Sequence, residues 1–320
     1  MLSFLTKELT FQEVHRLLLG GVAPRPIALV STISKDGINN LSPFSFFNAF
    51  GANPPIIAFS PSRRGRNASL KDTYYNLMDN GECVVQAVTY SMVEQISLAS
   101  AEYPSEVDEF IKSGLTPIDS DIVKPKRVKE SPFQMECKLR DMMSYGDGGA
   151  SANIAICEVI KFHVAEDIIE GNYIHPDLID LAARMSAEYY VRASGDKVFE
   201  VQKPTAQGIG FDNLPATLFK TKILTKSDLA KLANRSNIPS EEESKNFIVE
   251  FSSNKIEQNE ISDEAFYRYL NHKEYNKMLK VALCKDDKAT KNYFLELTIH
   301  TALDLKDSDF AWKLVHLLEY

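Results

Sequence analysis

The chain has 320 residues, of which 44% are hydrophobic and 25% charged, as is typical of a globular protein and not of a disordered one. This length predicts two domains. The formal net charge of −8 disfavours nucleic acid as a partner, because an acidic surface repels phosphate backbones. The N-terminus does not read as a signal peptide and no run of about 18 apolar residues occurs, so we expect a cytoplasmic protein that does not cross a membrane.

The four cysteines lie far apart and form no CxxC pair. Each stands among apolar residues, which predicts buried free thiols in a reducing compartment at Cys83, Cys137, Cys157 and Cys284. A zinc site would need closely spaced Cys or His ligands. The sequence has no such spacing, so we expect no metal centre.

The N-terminal elements begin with a capping box, in which Thr10 and Glu13 open a short helix that ends at Gly20-Gly21. Prolines then keep the chain extended. Residues 26–50 resemble a β-hairpin, with a turn at residues 34–37.

The middle of the chain alternates strands with short helices. We predict strands at residues 56–60, 83–89, 133–143 and 152–164, and helices at residues 70–80, 91–100 (opened by a second capping box, Ser91 to Glu94) and 176–191. Residues 103–132 should hold little regular structure. Because no GxGxxG follows a strand, a Rossmann domain is unsupported, and five or more strands favour a barrel or a sandwich.

The last part of the chain carries helical patterns. We predict helices at residues 224–235, from Ser262 as N-cap to residue 283, and at residues 307–320. The charged run 241–245 should be an exposed segment or a helix start. In the last helix, Phe310, Trp312 and Leu314 should be core residues.

Residues 41–48 interleave hydroxyl and amide side chains with aromatic ones at a proline bend. A flavin ring needs such polar contacts at one edge and apolar cover elsewhere. The alternative is an ordinary strand end.

Two neighbouring segments predict an anion site. Residues 60–67 hold three arginines in a hydroxyl-rich loop, and guanidinium groups bind phosphate. Residues 69–73 form a helix start with a lysine, and free N–H groups at such a terminus favour phosphate. The alternatives are a solvated loop and a simple N-cap at Ser69 or Asp72.

No catalytic triad or carboxylate pair stands out, so no catalytic side chain is predicted. The six histidines are scattered singly. His163 should be a structural strand residue, and His300 and His316 have no partner visible in the sequence.

The ordered segments APRPIALVST, GINNLSPFSFFNAF, NPPIIAFSPSRRGR and KDTYYNL, followed by SPFQMECKL and NIAICEVIKFHV, resemble the flavin reductase-like family of FMN-binding split barrels. The resemblance covers roughly residues 8–204. It implies a mainly β fold, an FMN-binding split β-barrel with short helices over residues 1–204. The helical patterns of residues 205–320 predict a C-terminal extension whose role is unassigned.

The resemblance also implies a homodimer that binds FMN and takes electrons from NAD(P)H, with a monooxygenase or an electron-transfer protein as partner. The residues that it places around FMN are Arg25, Thr32, Ser42, Pro43, Phe44, Ser45, Phe47, Asn48, Ser60, Arg63, Arg64, Lys71, Asp72 and Thr73.

Two departures from the family pattern bear on activity. Asn153 stands where many family reductases carry a histidine on the nicotinamide side, which makes it the substrate-side candidate here and puts fast NAD(P)H oxidation in doubt. Ser186-Ala187 replaces a frequent Gly-Gly pair. The leading hypothesis is an NAD(P)H:flavin oxidoreductase, and the alternatives are a flavoredoxin-type electron carrier and an FMN-binding regulatory module.

Overall fold

The computed structural model describes residues 1–201, 203, 207–252 and 261–319. The chain divides into two compact units, Met1–Glu200 and Val201–Tyr320. The predicted domain boundary at residues 204–205 lies outside the described residues.

The first unit is built on a seven-stranded antiparallel sheet with the strand order β2-β1-β5-β8-β9-β4-β3. These strands are β1 (Ala28–Ile33), β2 (Asn39–Phe44), β3 (Phe47–Ala52), β4 (Pro55–Phe59), β5 (Glu82–Ala87), β8 (Phe133–Tyr145) and β9 (Ala152–Val164). Three short strand pairs accompany the sheet: β6 (Pro117–Ile118) with β7 (Arg127–Val128), β10 (Ile169–Glu170) with β11 (Tyr173–Ile174), and β12 (Leu181–Arg184) with β13 (Tyr190–Ala193). The mainly β prediction is confirmed.

The sheet separates two apolar clusters. One contains Val30 and Val85 together with the buried thiols of Cys83, Cys137 and Cys157. The other packs Leu29 and its neighbours against the helices that follow β5. The prediction of four buried thiols is wrong for the fourth, because Cys284 ends a helix of the second unit and is exposed.

The helices of the first unit are α1 (Phe11–Gly21), α2 (Asp72–Asn80), α3 (Val93–Ala99), α4 (Glu109–Ser113) and α5 (Pro176–Ile179). The capping box of Thr10 and Glu13 forms as predicted. Helix α2 ends at Gly81, whose φ of 68° lies in the left-handed region that glycine tolerates.

Three local predictions are wrong. The second capping box does not form, because a 3₁₀ turn precedes α3 and Ser91 Oγ bonds to Thr89 Oγ1 instead. The helix predicted for residues 176–191 ends after one turn, since Asp180 takes φ 48° and the chain then forms β12 and β13. The predicted hairpin 26–50 holds only as far as Phe44, because β3 leaves β2 and pairs with β4.

The second unit is helical, as predicted, with α6 (Lys226–Ala233), α7 (Glu241–Ser252), α8 (Asp263–Asn271), α9 (Tyr275–Leu283), α10 (Lys288–Asp304) and α11 (Ser308–Val315). Ser262 caps α8. The single helix predicted after it is two helices, since Lys273 between them takes φ 55°. In α11, Phe310, Trp312 and Leu314 are buried, which confirms them as core residues. Within the described segments, no helix combines the length and apolar character needed to span a bilayer.

Candidate functional site

A cleft in the first unit consists of two adjoining cavities. The larger, of about 830 Å³, is lined mainly by apolar side chains and is called the apolar chamber here. The smaller, of about 330 Å³, is lined by Arg63, Arg64 and Lys71 together with Glu102, and is called the basic chamber. The residues that line both are Phe11, His15, Ser45, Phe46, Ser60, Ser62 and Ala150.

Strand ends and two loops position the floor of the cleft. The chain turns at Ser45 and Phe46 between β2 and β3, where the Ser60 N–H donates to the Phe46 carbonyl at 2.9 Å. After β4, the arginine loop pairs with the loop before β9: the Arg63 N–H donates to the Ser151 carbonyl at 3.0 Å. A Cβ at Gly149 would lie 2.5 Å from the Gly65 carbonyl oxygen, so these two loops approach as closely as glycine allows.

Lys71 is the central cation of the basic chamber. It precedes α2 as the N-cap residue, so the alternative interpretation of an N-cap at Ser69 or Asp72 is wrong. Its half-buried ammonium lies 5.2 Å from the centre of the Phe44 ring. Burial lowers the pKa of Lys71, and the positive charge of neighbouring Arg64 lowers it further. The carboxylates of Glu102 and Asp72 act in the opposite direction but do not offset this lowering. Within the described residues, the Lys71 ammonium has no hydrogen bond and no ion pair.

The two chamber arginines differ in their partners. Arg63 Nη1 donates to the Ala68 carbonyl at 2.9 Å, whereas Arg63 Nε is buried and has no acceptor among the residues that the structure describes. Arg64 Nη2 lies 3.2 Å from Asp72 Oδ2, and its Nε lies 4.0 Å from Glu102 Oε1. Glu102 is itself paired with exposed Arg66. The chamber therefore retains an excess of positive charge and one buried donor without an acceptor.

Helix α1 and the segment before it form one wall of the apolar chamber, through Phe11, Val14, His15 and Leu18 among others. None of the helix residues is buried. Arg25 fixes the end of this wall: its Nη1 donates to the Leu19 and Val22 carbonyls, at 2.7 and 2.6 Å.

The cleft collects most of the residues predicted for the site. Those on the apolar chamber are Arg25, Ser45, Phe47, Asn48 and Ser60, and those on the basic chamber are Pro43, Phe44, Ser45, Ser60, Arg63, Arg64 and Lys71. A third hollow, of about 30 Å³ and also lined by Arg64 and Lys71, receives Ser42, Asp72 and Thr73.

Thr32 does not reach the cleft. It is fully buried, and its hydroxyl donates to Asn40 Oδ1 at 3.1 Å and accepts from Asn76 Nδ2 at 3.0 Å. Thr73 Oγ1 donates to the same Asn40 oxygen at 2.8 Å, and Asn40 in turn donates to the carboxylate of Glu109. This network ties β1, β2, α2 and α4 together beneath the cleft.

Asn153 also turns away from the cleft. Its side chain is fully buried, accepts from Ser144 Oγ at 2.8 Å and donates to the Pro61 carbonyl at 3.2 Å. On the alternating strand β9, the neighbours Ala152 and Ile154 face the apolar chamber instead.

Three parts of the cleft are not predicted from the sequence: the α1 wall, the loop at Gly149–Ser151 and Glu102. A signal for the first was present, because Phe11, Val14 and Leu18 recur at helical spacing. Loop contacts carry no such periodicity.

Two other clusters in the described residues bring a histidine near carboxylates: Asp121–Glu136–His163 and Asp228–His300–Asp304. In each a lysine already pairs with the cluster, Lys161 with Asp121 at 2.5 Å and Lys231 with Asp304 at 3.1 Å. We interpret both as ion-pair networks that brace the fold. His163 thus has a structural partner, as predicted, and His300 has one that the sequence did not reveal.

Comparison with known proteins identifies the family. The flavin reductase like domain matches residues 20–181. A relative from Aquifex aeolicus is 39% identical over 196 residues, covering 61% of this chain and 97% of the relative. YwrF of Bacillus subtilis is 33% identical over 197 residues, covering 60% and 95%. The chain belongs to the flavin reductase-like family.

Solved structures agree with this assignment. Nitrilotriacetate monooxygenase component B from Bacillus cereus superposes with a TM-score of 0.59 at 33% identity, over 63% of this chain and 98% of that one. A flavin reductase candidate with a split barrel domain from Shewanella frigidimarina superposes with a TM-score of 0.55 at 24% identity, over 63% and 100%, which supports the fold alone. The split-barrel prediction is confirmed.

Proposed function

We propose that this protein is an NAD(P)H:flavin oxidoreductase that binds FMN in the cleft, with the phosphate in the basic chamber. The observation that carries the proposal is the half-buried Lys71 ammonium, which has no carboxylate partner among the described residues. The same chamber holds Arg63, whose buried Nε has no acceptor in the described part of the chain. A buried donor left without an acceptor costs about 1–3 kcal/mol. An anionic ligand oxygen in the chamber would pair with the Lys71 ammonium.

The rest of the cleft fits the remainder of an FMN molecule. Apolar side chains on α1 and on β3 and β4 would cover a flat ring. Ser45, Ser60 and Ser62 lie where the two chambers meet and would offer hydroxyls to a polar linker. Bound FMN would supply the hydride-transfer chemistry, while the protein supplies orientation and exclusion of water. This division of labour requires no catalytic acid or base.

The phosphate assignment is tested with Lys71→Ala. The loss of one charge-assisted contact, worth roughly 1.5–3 kcal/mol, should raise the Kd for FMN by at least about tenfold. Lys138→Ala, at an exposed lysine on β8, is the matched control and should leave the Kd unchanged. An unchanged Kd in Lys71→Ala would overturn the phosphate assignment.

The activity is tested by anaerobic titration of the FMN-loaded protein with NADH and with NADPH, following the visible flavin absorbance. Bleaching within seconds supports the reductase proposal. A bound flavin that resists both nicotinamides but is reduced by dithionite would contradict it.

One observation favours a second candidate, an electron carrier that receives electrons from a protein. The side chain at the family's histidine position, Asn153, is buried and bonded to Ser144 and Pro61. No imidazole is therefore presented there to a nicotinamide. In this case a reduced protein donor would reduce the flavin faster than either nicotinamide does.

We also propose a homodimer and a monooxygenase partner. Support for the first is exposed apolar surface along α1 and at Phe50, which is 70% exposed. Support for the second is the likeness to a monooxygenase component B. Light scattering of the purified chain tests the dimer, and coupled turnover with a flavin-dependent monooxygenase tests the partner.

A further inference from the structure

Glu102 is the single carboxylate in the lining of the basic chamber, among the residues that the structure describes. It follows α3 in a segment without regular secondary structure. It also lines the neighbouring hollow of about 30 Å³, together with Arg64 and Lys71. A negative charge at this position opposes the anion binding proposed for the chamber, because like charges repel.

The two oxygens of Glu102 are divided between two arginines. Oε1 lies 4.0 Å from Arg64 Nε, which is within ion-pair range but beyond hydrogen-bond distance. Oε2 accepts from Arg66 Nη2 at 2.8 Å. The Arg64 side chain lines the chamber and is 19% exposed, whereas the Arg66 side chain is 78% exposed and is outside that lining in the described chain. The charge of Glu102 also raises the pKa of Lys71 against the effect of burial.

Arg64 is held in the chamber by other contacts. Its Nη1 donates to the Leu70 carbonyl and to Ser69 Oγ, and its Nη2 donates to Asp72 Oδ2 at 3.2 Å. Glu102 is therefore not needed to keep this guanidinium in place. Because Glu102 attracts Arg64 without a hydrogen bond, a ligand anion can replace it beside Nε while Arg66 retains its own bond to the carboxylate.

We propose that Glu102 is a specificity-determining residue that competes with the ligand's phosphate for Arg64, and that Arg66 holds it away from the chamber when phosphate binds. The proposal rests on the proposed function in taking FMN as the ligand. A phosphate monoester carries close to two negative charges at neutral pH and is repelled by Glu102. Riboflavin has no phosphate and meets no such repulsion. Glu102 therefore weakens the binding of the phosphorylated flavin selectively.

The test is calorimetric titration of the full chain with FMN, riboflavin and inorganic phosphate. Glu102→Gln keeps the size of the side chain and removes its charge. The Kd for FMN should therefore fall about threefold to tenfold, while the Kd for riboflavin changes less than about twofold. Glu106→Gln is the matched control, at an exposed carboxylate of the same segment that lines neither chamber. It removes the same charge from the protein and should leave all three Kd values unchanged.

Arg66→Ala tests the role of the outer arginine. Without Arg66, the carboxylate of Glu102 is left with Arg64 as its partner, so the Kd for FMN should rise about threefold to fivefold. In the Glu102→Gln background the same change should alter the Kd less than about twofold, because the competing charge is already gone. Equal losses in the two backgrounds would show that Arg66 acts only as a distant cation, and would overturn the competition between the two arginines.

The outcomes separate this inference from the proposed function. The same FMN affinity in Glu102→Gln and in the native protein overturns the inference and leaves the proposed function standing. Equal gains in affinity for FMN and for riboflavin also overturn it, because the effect would then not depend on the phosphate. If neither flavin binds but inorganic phosphate binds more tightly to Glu102→Gln than to the native protein, the proposed function fails and the inference is supported. A protein that binds none of the three overturns both.

Discussion

His163 Nε2 lies 2.7 Å from Oε1 of Glu136, a carboxylate that is fully buried between β8 and the loop at residues 121–123. Backbone N–H groups of Asp121, Ile122 and Val123 donate to the same carboxylate at 2.8, 2.7 and 2.9 Å. Burial alone would raise the pKa of Glu136, but these four donors outweigh it and lower the pKa from 4.5 to about 2. One ionised side chain thus fastens the loop at residues 121–123 to the sheet.

Glu136→Gln should lower the free energy of unfolding by about 2 kcal/mol at neutral pH, because the amide nitrogen cannot accept from the backbone donors. Since the folded pKa lies below the unfolded one, the stabilisation by Glu136 is fully present above pH ~4.5 and is lost as the pH falls toward ~2. Urea unfolding across this window should show a flatter pH dependence for the variant. The same slope in both proteins would contradict the assigned role.

Arg25→Lys should loosen the α1 wall. A lysine cannot donate to the carbonyls of Leu19, Val22 and Met185 at once. We therefore expect the free energy of unfolding to fall by about 1–3 kcal/mol and amide hydrogen exchange along α1 to become faster. Arg16→Lys, at an exposed position on the same helix, is the control. Unchanged exchange in Arg25→Lys would mean that other contacts hold the helix.

Thr32→Val separates a structural role from a ligand contact. The variant loses two buried hydrogen bonds, to Asn40 and from Asn76, so its free energy of unfolding should fall by about 1–2 kcal/mol. Its Kd for FMN should stay the same. Thr32→Ser keeps the hydroxyl and should recover most of the stability. A weakened FMN complex in a folded Thr32→Val protein would return Thr32 to the ligand site.

Gly149→Ala should weaken FMN binding, because the new methyl group would meet the backbone of Gly65 and push the arginine loop away. Relieving such a clash costs about 1–3 kcal/mol. If the arginine loop moves to relieve it, the affinity for FMN should fall roughly fivefold to hundredfold. Gly148→Ala is the matched control, since its Cβ would meet Ser151 Oγ at an ordinary 3.9 Å. Equal FMN affinities in the two variants would show that the loop contact does not shape the site.

Periodicity in the sequence predicted the elements that it directly encodes. The long strand at residues 152–164 and the capping box of α1 are local patterns, and the structure contains both. Helix α10 went unpredicted because it is buried around most of its circumference, so its apolar residues show no single face. The helix predicted for residues 176–191 failed because pairing of β12 with β13 overrides local helical preference.

The candidate site was predictable where chemistry is concentrated in consecutive residues. Arg63, Arg64 and Lys71 lie within nine positions and do meet in one chamber. Thr32 and Asn153 were chosen by family position, and sequence does not reveal which face of a strand each side chain occupies. Glu102 and Gly149 come from distant segments, and only the folded chain brings them to the cleft.

Trp312 is the sole tryptophan of the chain, and it is buried in the second unit with its indole N–H donating to the Leu232 carbonyl at 3.0 Å. Its fluorescence emission therefore reports on the helical unit alone. A red shift of this emission on heating would mark the temperature at which the helical unit unfolds and water reaches its core. Comparison with a second signal that reports on the first unit would show whether the two units unfold together or one after the other.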